Sequence, residues 1–484
     1  MKFIDRQREM RALNTFYRAE GAGLFILFGR RRVGKTSLVS HFLESNSIPN
    51  AFYWMATTHS AFYQLRDFSQ ALLRYDPRFA GPPTADFTFP SWEAALQHAA
   101  EMVEQTGTPH LLILDEFTYL IRNERPITSI FQKMWDHRLS KVNGLKLILT
   151  GSLLGMMGRE IFAYNAPLHG RATAQLRLRP LPYAALLELF TERSVAERIA
   201  IYAVTGGIPA YLERFTHTPD FVTALREDCL GPGSILLTDP ALILQEQLQE
   251  PQTYESILSV IAAGFHTWHE IATMAGVGES SLGHYLKVLQ ELELIERRDP
   301  ILTKGDSRRG RYYVSDHFLR FYYRFLVPHL SIIERGYAQA AIDKIYAQLR
   351  SFIGTHLFEE LCREWVWPAS VSDQLSFQPE TVGSYWRQSR GQGVQLDIVA
   401  ASPRQKQLLV GEAKWGVGLV DLPVLTSLMQ RSQRMPQVAE GWHTDYALFA
   451  REGFTPTLQA EAVRLGVLLV TATELERTLS LEIA

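Results

Sequence analysis

A glycine-rich segment near the start of the chain has the residue types and spacing of a phosphate-binding loop. The sequence GRRRVGKT fits the pattern G-x-x-x-x-G-K-[ST], directly after the apolar run 24–28 and directly before a helical stretch. The glycines let backbone N–H groups curl around phosphates, and the N-terminus of the following helix adds a favourable dipole. We expect the lysine to reach the β- and γ-phosphates of ATP and the threonine to bind Mg²⁺. The predicted nucleotide-binding residues are Gly29, Arg30, Arg31, Arg32, Val33, Gly34, Lys35, Thr36 and Ser37.

A second apolar run, residues 111–114, ends in the two acids Asp115 and Glu116. In P-loop enzymes the first such acid holds Mg²⁺ through water, and the second polarises the attacking water. An apolar strand that ends in Asp-Glu is often only a strand end that meets solvent. The P-loop upstream favours the functional interpretation, with Asp115 as a metal ligand and Glu116 as the catalytic acid.

Two further residues are candidates for contact with the phosphates. Ser152 follows the apolar run 145–149, at the position of a γ-phosphate sensor, although a plain turn is the alternative. Arg171 could contact phosphate, and a surface salt bridge is nearly as good an explanation for it.

Length, composition and charge exclude several classes of protein. A chain of 484 residues is too long for one hydrophobic core, so we expect several domains. The net charge of −2 means that any DNA contact requires a local basic surface. With only two cysteines, a disulfide framework or a cysteine-based zinc site is excluded. The first residues lack the apolar core of a signal peptide, and no long apolar run is present. These features predict a cytoplasmic protein without a membrane segment.

The hydrophobic periodicity predicts a multidomain α/β fold. We expect a parallel-sheet P-loop ATPase domain over residues 1–180 and a helical lid over 181–250. A winged helix over 251–315 and an aromatic helical connector over 316–350 follow. The last part, 351–484, returns to mixed α/β character, and the resemblance described below for Asp397, Glu412 and Lys414 implies a restriction-endonuclease-like domain there.

The order of the motifs resembles a known family. The P-loop, the LLILDE strand, the LILTGS strand, Gly170-Arg171 and the segment 178–181 resemble the archaeal-type ATPase domain of the AAA+/STAND group. The segment 206–209, Gly-Gly-Ile-Pro, looks like the Gly-x-Pro element of that group's lid. The resemblance implies a lid that closes over the nucleotide and a conformational switch that depends on ATP. The sequence leaves open whether the chain forms a homo-oligomer or acts with a partner protein.

Residues 254–315 have the pattern of three helices and a hairpin, as in a winged helix. The hairpin segment 297–311 contains six basic and two acidic residues, which suits a wing that lies along DNA phosphates. An alternative is that the winged helix packs against the nucleotide-binding domain of its own chain. The predicted DNA-binding residues are Lys287 on the recognition-type helix and Arg308, Arg309 and Arg311 on the hairpin.

Near the C-terminus two strand-like segments carry Asp397 and, after a turn, Glu412 and Lys414. Two carboxylates on neighbouring strands, with a lysine on the same strand face as Glu412, could hold Mg²⁺ and position a hydroxide. The spacing fits the D-x(n)-E-x-K pattern of the PD-(D/E)xK nuclease superfamily. The segment 354–361 resembles that superfamily's first helix, with Glu359 as a third metal ligand and Glu360 as the alternative.

The aromatic segment 316–325 resembles a little-characterised domain found beside archaeal-type ATPase domains, which is thought to carry this nuclease-like core. The leading interpretation is therefore an ATP-controlled, DNA-binding enzyme that cleaves phosphodiesters. The alternatives are a switch ATPase with an inactive nuclease-like platform and a winged-helix transcription regulator gated by ATP.

Overall fold

The computed structural model describes residues 2–79, 81–231, 233–248, 250–303, 309–387 and 393–482. The chain divides into two compact units. The first extends from the N-terminus to Leu181 and also contains Ile208–Ala210. The second contains Pro182–Gly207 and the chain from Tyr211 onward. Nearly all of the segment expected to form a lid therefore belongs to the second unit.

The first unit alternates strands and helices along the chain. Its strands are β1 (Gly23–Phe28), β2 (Ala51–Met55), β3 (His110–Asp115), β4 (Leu145–Gly151) and β5 (Ala174–Arg177). Its helices are α1 (Gln7–Arg18), α2 (Lys35–Ser45), α3 (Ala61–Tyr75), α4 (Trp92–Thr106), α5 (Phe117–Asn123), α6 (Ile127–His137) and α7 (Leu154–Met157). The strands pair in the order β2-β3-β4-β1-β5, and all four pairings are parallel.

Apolar side chains cover both faces of this sheet, in two separate buried clusters. That arrangement explains the apolar runs 111–114 in β3 and 147–149 in β4, since both faces of a parallel sheet are buried. Lys146 interrupts β4, and its Nζ donates to the carbonyl oxygens of Ala19 and Gly21. The edge strand β2 is different, because it alternates between buried and exposed residues. The sequence analysis did not identify it as a strand.

The second unit begins with helices and ends with a mixed sheet. Its helices are α8 (Leu186–Leu189), α9 (Val195–Thr205), α10 (Pro209–Leu212, whose first two residues belong to the first unit), α11 (Phe221–Ala224), α12 (Ile235–Gln247), α13 (Pro251–Ala262), α14 (Trp268–Ala275), α15 (Glu279–Glu291), α16 (His317–Phe321), α17 (Leu330–Glu334), α18 (Ala338–Ile353), α19 (Glu359–Val371), α20 (Leu422–Ser432), α21 (Pro436–Ala439), α22 (Pro456–Leu465) and α23 (Ala472–Leu479). Its strands are β6 (Ile295–Arg298), β7 (Arg311–Val314), β8 (Thr381–Arg387), β9 (Val394–Ser402), β10 (Gln407–Lys414), β11 (His443–Ala450) and β12 (Leu468–Thr471).

Helices α13 to α15 are followed by the antiparallel pair β6 and β7, in the order that the sequence predicts. Helix α15 turns Leu282, Leu286 and Leu289 inward. The C-terminal sheet has the strand order β12-β11-β10-β9-β8. Strands β8, β9 and β10 are antiparallel neighbours, whereas β10, β11 and β12 run parallel.

A buried ion pair ties the start of the second unit to its last helix. Arg198 on α9 donates two hydrogen bonds to the Glu476 carboxylate on α23, at 2.8 and 2.5 Å. The hydroxyl of Tyr183 donates a third, at 2.6 Å. The side chains of Arg198 and Glu476 are only 10% and 7% exposed, so water screens this pair very little.

Among the described residues, no helix is both long enough and apolar enough to cross a membrane.

Candidate functional sites

The phosphate-binding loop joins β1 to α2 and depends on two of its glycines. Helix α2 begins at Lys35, and Gly34 before it has a φ of 95°, a left-handed conformation that favours glycine. A Cβ atom at Gly29 would lie 2.3 Å from the carbonyl oxygen of Leu178, so no larger residue fits there. Val33 is fully buried, and its carbonyl oxygen accepts a hydrogen bond from Arg6 at 3.1 Å. The loop is therefore held from both sides.

The Lys35 side chain is buried and bonded to the loop itself. Its Nζ donates to the carbonyl oxygens of Gly29, at 3.0 Å, and Arg30, at 3.2 Å. Burial lowers the pKa of Lys35, while the nearby charges of Glu116 and Asp115 act in the opposite direction. A phosphate would stabilise this ammonium more than the carbonyl dipoles do, because a phosphate carries full negative charge.

Asp115 stands at the end of β3 with both carboxylate oxygens hydrogen-bonded. Oδ2 accepts from the Thr36 hydroxyl, at 3.0 Å, and from the Tyr53 hydroxyl. Oδ1 accepts from the Glu116 N–H, at 2.9 Å, and from the Thr150 hydroxyl. The structure thus brings Thr36 and Asp115, the two predicted metal-binding residues of this site, into direct contact. Burial, and then the hydrogen bond to Asp115, raise the pKa of the Tyr53 hydroxyl well above its ordinary value.

Glu116 begins helix α5 in a conformation that is unusual for its residue type. Its φ is 51°, and such left-handed non-glycine residues cost about 1–3 kcal/mol and cluster at functional sites. Its Oε2 accepts a hydrogen bond from the Ser152 hydroxyl at 2.6 Å. Ser152, the predicted phosphate sensor, therefore contacts the predicted catalytic acid.

Arg171 lies in an ion pair. Its guanidinium donates to both oxygens of Asp136, at 2.8 and 2.7 Å, and to the carbonyl oxygen of Pro167 at 2.8 Å. The hydrogen bonds from Arg171 lower the pKa of the Asp136 carboxyl. This arrangement agrees with the salt-bridge alternative for Arg171 rather than with a contact to phosphate.

Sequence reasoning missed three residues that support this site: Arg6, Tyr53 and Thr150. Thr150 carried a signal, because it is a hydroxyl residue directly after the apolar run 147–149 of β4 and directly before Gly151. Arg6 also donates to the carbonyl oxygen of Arg179, at 2.9 Å, and neither it nor Tyr53 belongs to a recognisable motif.

In the C-terminal sheet, Asp397 and Glu412 lie side by side on β9 and β10. Ile398 pairs with Gly411 in the antiparallel register. Asp397, the residue before Ile398, therefore lies opposite Glu412, the residue after Gly411. The backbone N–H of Ala413 also donates to Asp397 Oδ2 at 3.4 Å. The predicted convergence of these two carboxylates is therefore present in the fold.

Glu359, in the first turn of α19, shares the same electrostatic environment. Burial, and then the negative charge of Asp397, raise the pKa of the Glu359 carboxyl to about 8. Burial, and then Glu412, raise the pKa of the Asp397 carboxyl to about 6. Carboxylates that repel one another in this way are stabilised by a cation.

Glu412 is already neutralised by two protein cations. Lys414 Nζ lies 2.7 Å from its Oε1, and Arg431 on α20 lies 2.8 Å from its Oε2. Within the part of the chain that the structure describes, no three acidic, histidine or cysteine side chains are close enough to surround one metal ion. The oxygen-rich set of Glu359, Asp397 and Glu412 suits Mg²⁺ chemically. For these three carboxylates to surround one ion, their side chains must move closer together and Lys414 or Arg431 must release Glu412.

Glu360, the alternative third ligand, faces a different group of residues. It forms ion pairs with Arg298, at 2.5 Å, and Arg320, at 3.1 Å, and these cations hold its pKa well below the usual range despite burial. The geometry thus favours Glu359 as the acid of the carboxylate cluster. Arg363, which sequence reasoning missed, lies 3.8 Å from Glu359 and donates to the carbonyl oxygen of Asp397 at 3.0 Å.

The structure describes three of the four predicted DNA-binding residues, Lys287, Arg309 and Arg311. Lys287 on α15 is exposed, with Glu291 as a distant ion-pair partner at 3.9 Å. Arg308 lies outside the described residues.

The described part of the hairpin packs on the edge strand β8. Ile301 N–H donates to the carbonyl oxygen of Ser384 at 3.0 Å, and Trp386 Nε1 donates to the carbonyl oxygen of Arg309 at 3.0 Å. The Arg311 guanidinium stacks over the Trp386 ring, 4.9 Å from its centroid. These contacts join the hairpin to the C-terminal sheet, whereas Arg309 itself is exposed, and the DNA contact stays a prediction.

A P-loop after β1 of a parallel five-stranded sheet, with an Asp-Glu pair at the end of β3 and β4 lying between these two strands, defines the class of P-loop ATPases. The comparisons agree with this assignment. Residues 3–215 match an ATPase domain found predominantly in Archaea, and residues 322–420 match a family of archaeal and bacterial proteins of unknown function.

An uncharacterized protein of Methanocaldococcus jannaschii is 32% identical to this chain over 413 residues, which cover 85% of this chain and 87% of that protein. The chain therefore belongs to the same family of archaeal-type ATPases. An uncharacterized ATP-binding protein of the same organism is 45% identical over 49 residues, 10% of this chain and 83% of that protein. The solved structure of a Walker-type ATPase of Pyrococcus abyssi has a TM-score of 0.51 and 21% identity. The match covers 66% of this chain and 96% of that protein, and it supports the assignment of the fold.

Proposed function

We propose that this ATPase binds DNA and cleaves it with the carboxylate cluster of its C-terminal sheet, under the control of its nucleotide site. One observation carries the proposal: Asp397 and Glu412 are adjacent on paired strands, and Lys414 and Glu359 lie in the same neighbourhood. An isolated D…E-x-K pattern is common in α/β proteins. Its coincidence with a first-turn glutamate of a packed helix is much less so.

The carboxylate cluster has the donors for metal-assisted phosphodiester hydrolysis. Glu359, Asp397 and Glu412 would hold Mg²⁺, which lowers the pKa of bound water and polarises phosphate oxygens when it is bound. Lys414 would exchange its bond to Glu412 for the phosphate and stabilise the negative charge that develops there. Its side chain is 41% exposed, so this movement requires no repacking of the core.

The nucleotide site supports a switch that depends on hydrolysis. Thr36 and Asp115 would hold Mg²⁺, and Lys35 would bind the β- and γ-phosphates. Glu116 would polarise the attacking water, with Ser152 as the partner that orients it. Helices α13 to α15 with their hairpin would form a winged helix that docks on DNA through Lys287 and the basic residues of the hairpin.

Two assays test the two parts of this proposal separately. Purified protein is incubated with plasmid, branched and single-stranded DNA in Mg²⁺ or Mn²⁺, with and without ATP. Asp397→Asn should abolish cleavage without changing ATP hydrolysis. Asp445→Asn, an acid on β11 of the same sheet, is the matched control and should cut normally.

Glu116→Gln should bind ATP normally and slow its hydrolysis by about 100-fold or more. The variant lacks the carboxylate that polarises the attacking water, whereas the residues that bind the phosphates are unchanged. Wild-type hydrolysis by this variant contradicts the role of Glu116. Absence of any metal-dependent cleavage by the wild-type protein contradicts the nuclease.

The ion pairs of Glu412 favour a second candidate function, a non-cleaving switch in which the nuclease-like sheet is a platform. Lys414→Ala separates the two. If Lys414 is structural, its loss leaves a buried carboxylate with less compensation and lowers the unfolding temperature. If it acts on the phosphate, the variant folds and binds metal but does not cut. A sequence-specific DNA footprint without cleavage by the wild-type protein favours the transcription regulator.

A further inference from the structure

Tyr53 is the one residue from the edge strand β2 that reaches the predicted Mg²⁺ carboxylate. Its hydroxyl donates to Oδ2 of Asp115. Its side chain is nevertheless 40% exposed, and the next outward-facing residue, Met55, is 51% exposed. A tyrosine that is open to solvent on one side and bound to a buried carboxylate on the other can leave its position without disturbing the core.

The four hydrogen bonds to Asp115 fill the acceptor positions of a carboxylate. Three of these donors are fixed by the fold. The Glu116 N–H is backbone, Thr150 is a fully buried residue of β4, and Thr36 belongs to the first turn of α2. Tyr53 is therefore the donor that can be displaced at the lowest cost.

An aspartate that holds Mg²⁺ through water must accept hydrogen bonds from that water. The Thr36 bond is compatible with a bound cation, because the hydroxyl hydrogen can point to Asp115 while the oxygen lone pair faces the metal. The Tyr53 bond is not compatible in the same way, because its hydroxyl takes the remaining acceptor position of Oδ2. The two donors, tyrosine hydroxyl and metal-bound water, compete for one oxygen.

We propose that Tyr53 is a positioning residue that latches Asp115 and sets the Mg²⁺ concentration at which the nucleotide site is filled. The latch rests on the proposed role of Thr36 and Asp115 as metal-holding residues. Mg²⁺ binding requires the Tyr53 hydroxyl to leave Oδ2, so part of the binding free energy is spent on breaking that bond. Tyr53 acts through its hydrogen bond to Asp115.

Tyr53→Phe tests the latch, because it removes the hydroxyl and keeps the ring. Binding of a fluorescent ADP analogue is measured over a series of Mg²⁺ concentrations and in EDTA. The variant should need about fivefold less Mg²⁺ for half-maximal enhancement of binding, the effect of one ordinary hydrogen bond. Affinity in EDTA should not change. The same shift should appear in the Mg²⁺ dependence of ATP hydrolysis, with kcat at saturating Mg²⁺ unchanged.

Tyr63→Phe is the matched control, since Tyr63 is also exposed, at 43%, and is close in sequence. It should behave like the wild type. An unchanged or increased Mg²⁺ requirement in Tyr53→Phe overturns the latch. Weaker binding by the same factor with and without Mg²⁺, together with a lower unfolding temperature, also overturns it and assigns Tyr53 a structural role. If Mg²⁺ does not affect nucleotide binding by the wild-type protein, the metal-holding role of Thr36 and Asp115 fails as well.

Discussion

Removal of the negative charge of Glu476 should destabilise the second unit strongly, although this residue is remote in sequence from every predicted site. Glu476→Gln keeps the shape of the side chain and one acceptor for the Tyr183 hydroxyl. It leaves Arg198 with two backbone carbonyl oxygens, of Phe190 and Arg193, and no counter-charge. Removing one partner of a buried ion pair costs about 3–5 kcal/mol, because the other charge stays buried without compensation.

Since glutamine retains part of the hydrogen bonding, we expect a loss near the lower end, about 3 kcal/mol. For a unit of this size the unfolding temperature falls by about 2 °C per kcal/mol, which gives about 6 °C. The measurement is a thermal unfolding curve by circular dichroism. Glu461→Gln on α22 is the control, because its ion pair with Arg464 is exposed, and it should unfold at the wild-type temperature.

A double variant distinguishes loss of the charge pair from loss of packing. Arg198→Met with Glu476→Leu removes both charges and should recover most of the stability, because apolar replacements of buried pairs are often neutral or better. A change of less than about 1 °C in Glu476→Gln would refute the reasoning, since it would mean that water compensates Arg198. A double variant as unstable as the single one would also refute it.

Three further predictions concern phosphate binding and pH. Lys35→Ala should abolish tight ATP binding, measured with a fluorescent nucleotide, because the ammonium that contacts the β- and γ-phosphates is lost; near-normal affinity contradicts this role. Neutralising Arg308, Arg309 and Arg311 together should weaken DNA binding for all sequences and flatten its salt dependence, whereas an unchanged slope leaves the hairpin with intramolecular packing alone. Burial lowers the pKa of His266 to about 4, below the ~6.5 of an unfolded histidine, so the unfolded chain binds more protons between these values. The contribution of His266 to stability should therefore be lost as the pH drops below about 6.5, so in urea unfolding the wild type should lose more stability than His266→Gln over this range; an identical pH dependence contradicts this.

The strands of the first sheet show which elements are visible in a sequence. Strands β3 and β4 were predictable because burial on both faces requires continuous apolar runs. The edge strand β2 (AFYWM) is also a continuous apolar run, and it was missed although its residues are of strand-forming types. Its exposed Tyr53 reaches Asp115 from the edge of the sheet, a contact that no motif encodes.

The C-terminal site was predictable as a pattern and not as a geometry. The spacing of Asp397, Glu412 and Lys414 follows from the two-residue repeat of paired strands, which is a local property. Arg431 reaches Glu412 from α20, and the packing of a helix on a sheet is not encoded in any motif. The interpretation of the basic hairpin as a DNA contact is limited in the same way, because composition does not reveal the stacking of Arg311 on Trp386.

The two consecutive glutamates at the start of α19 couple the position of the hairpin to that of the carboxylate cluster. Glu359 belongs to the carboxylate cluster, and Glu360 forms an ion pair with Arg298 at the end of β6. Because both belong to one helical turn, a pull on the hairpin that moves Glu360 shifts Glu359 by a similar distance. The first turn of α19 thus holds the two glutamates in a fixed position relative to each other. One residue inserted or deleted before this turn would rotate it by about 100° about the helix axis, and both glutamates would lose their positions together.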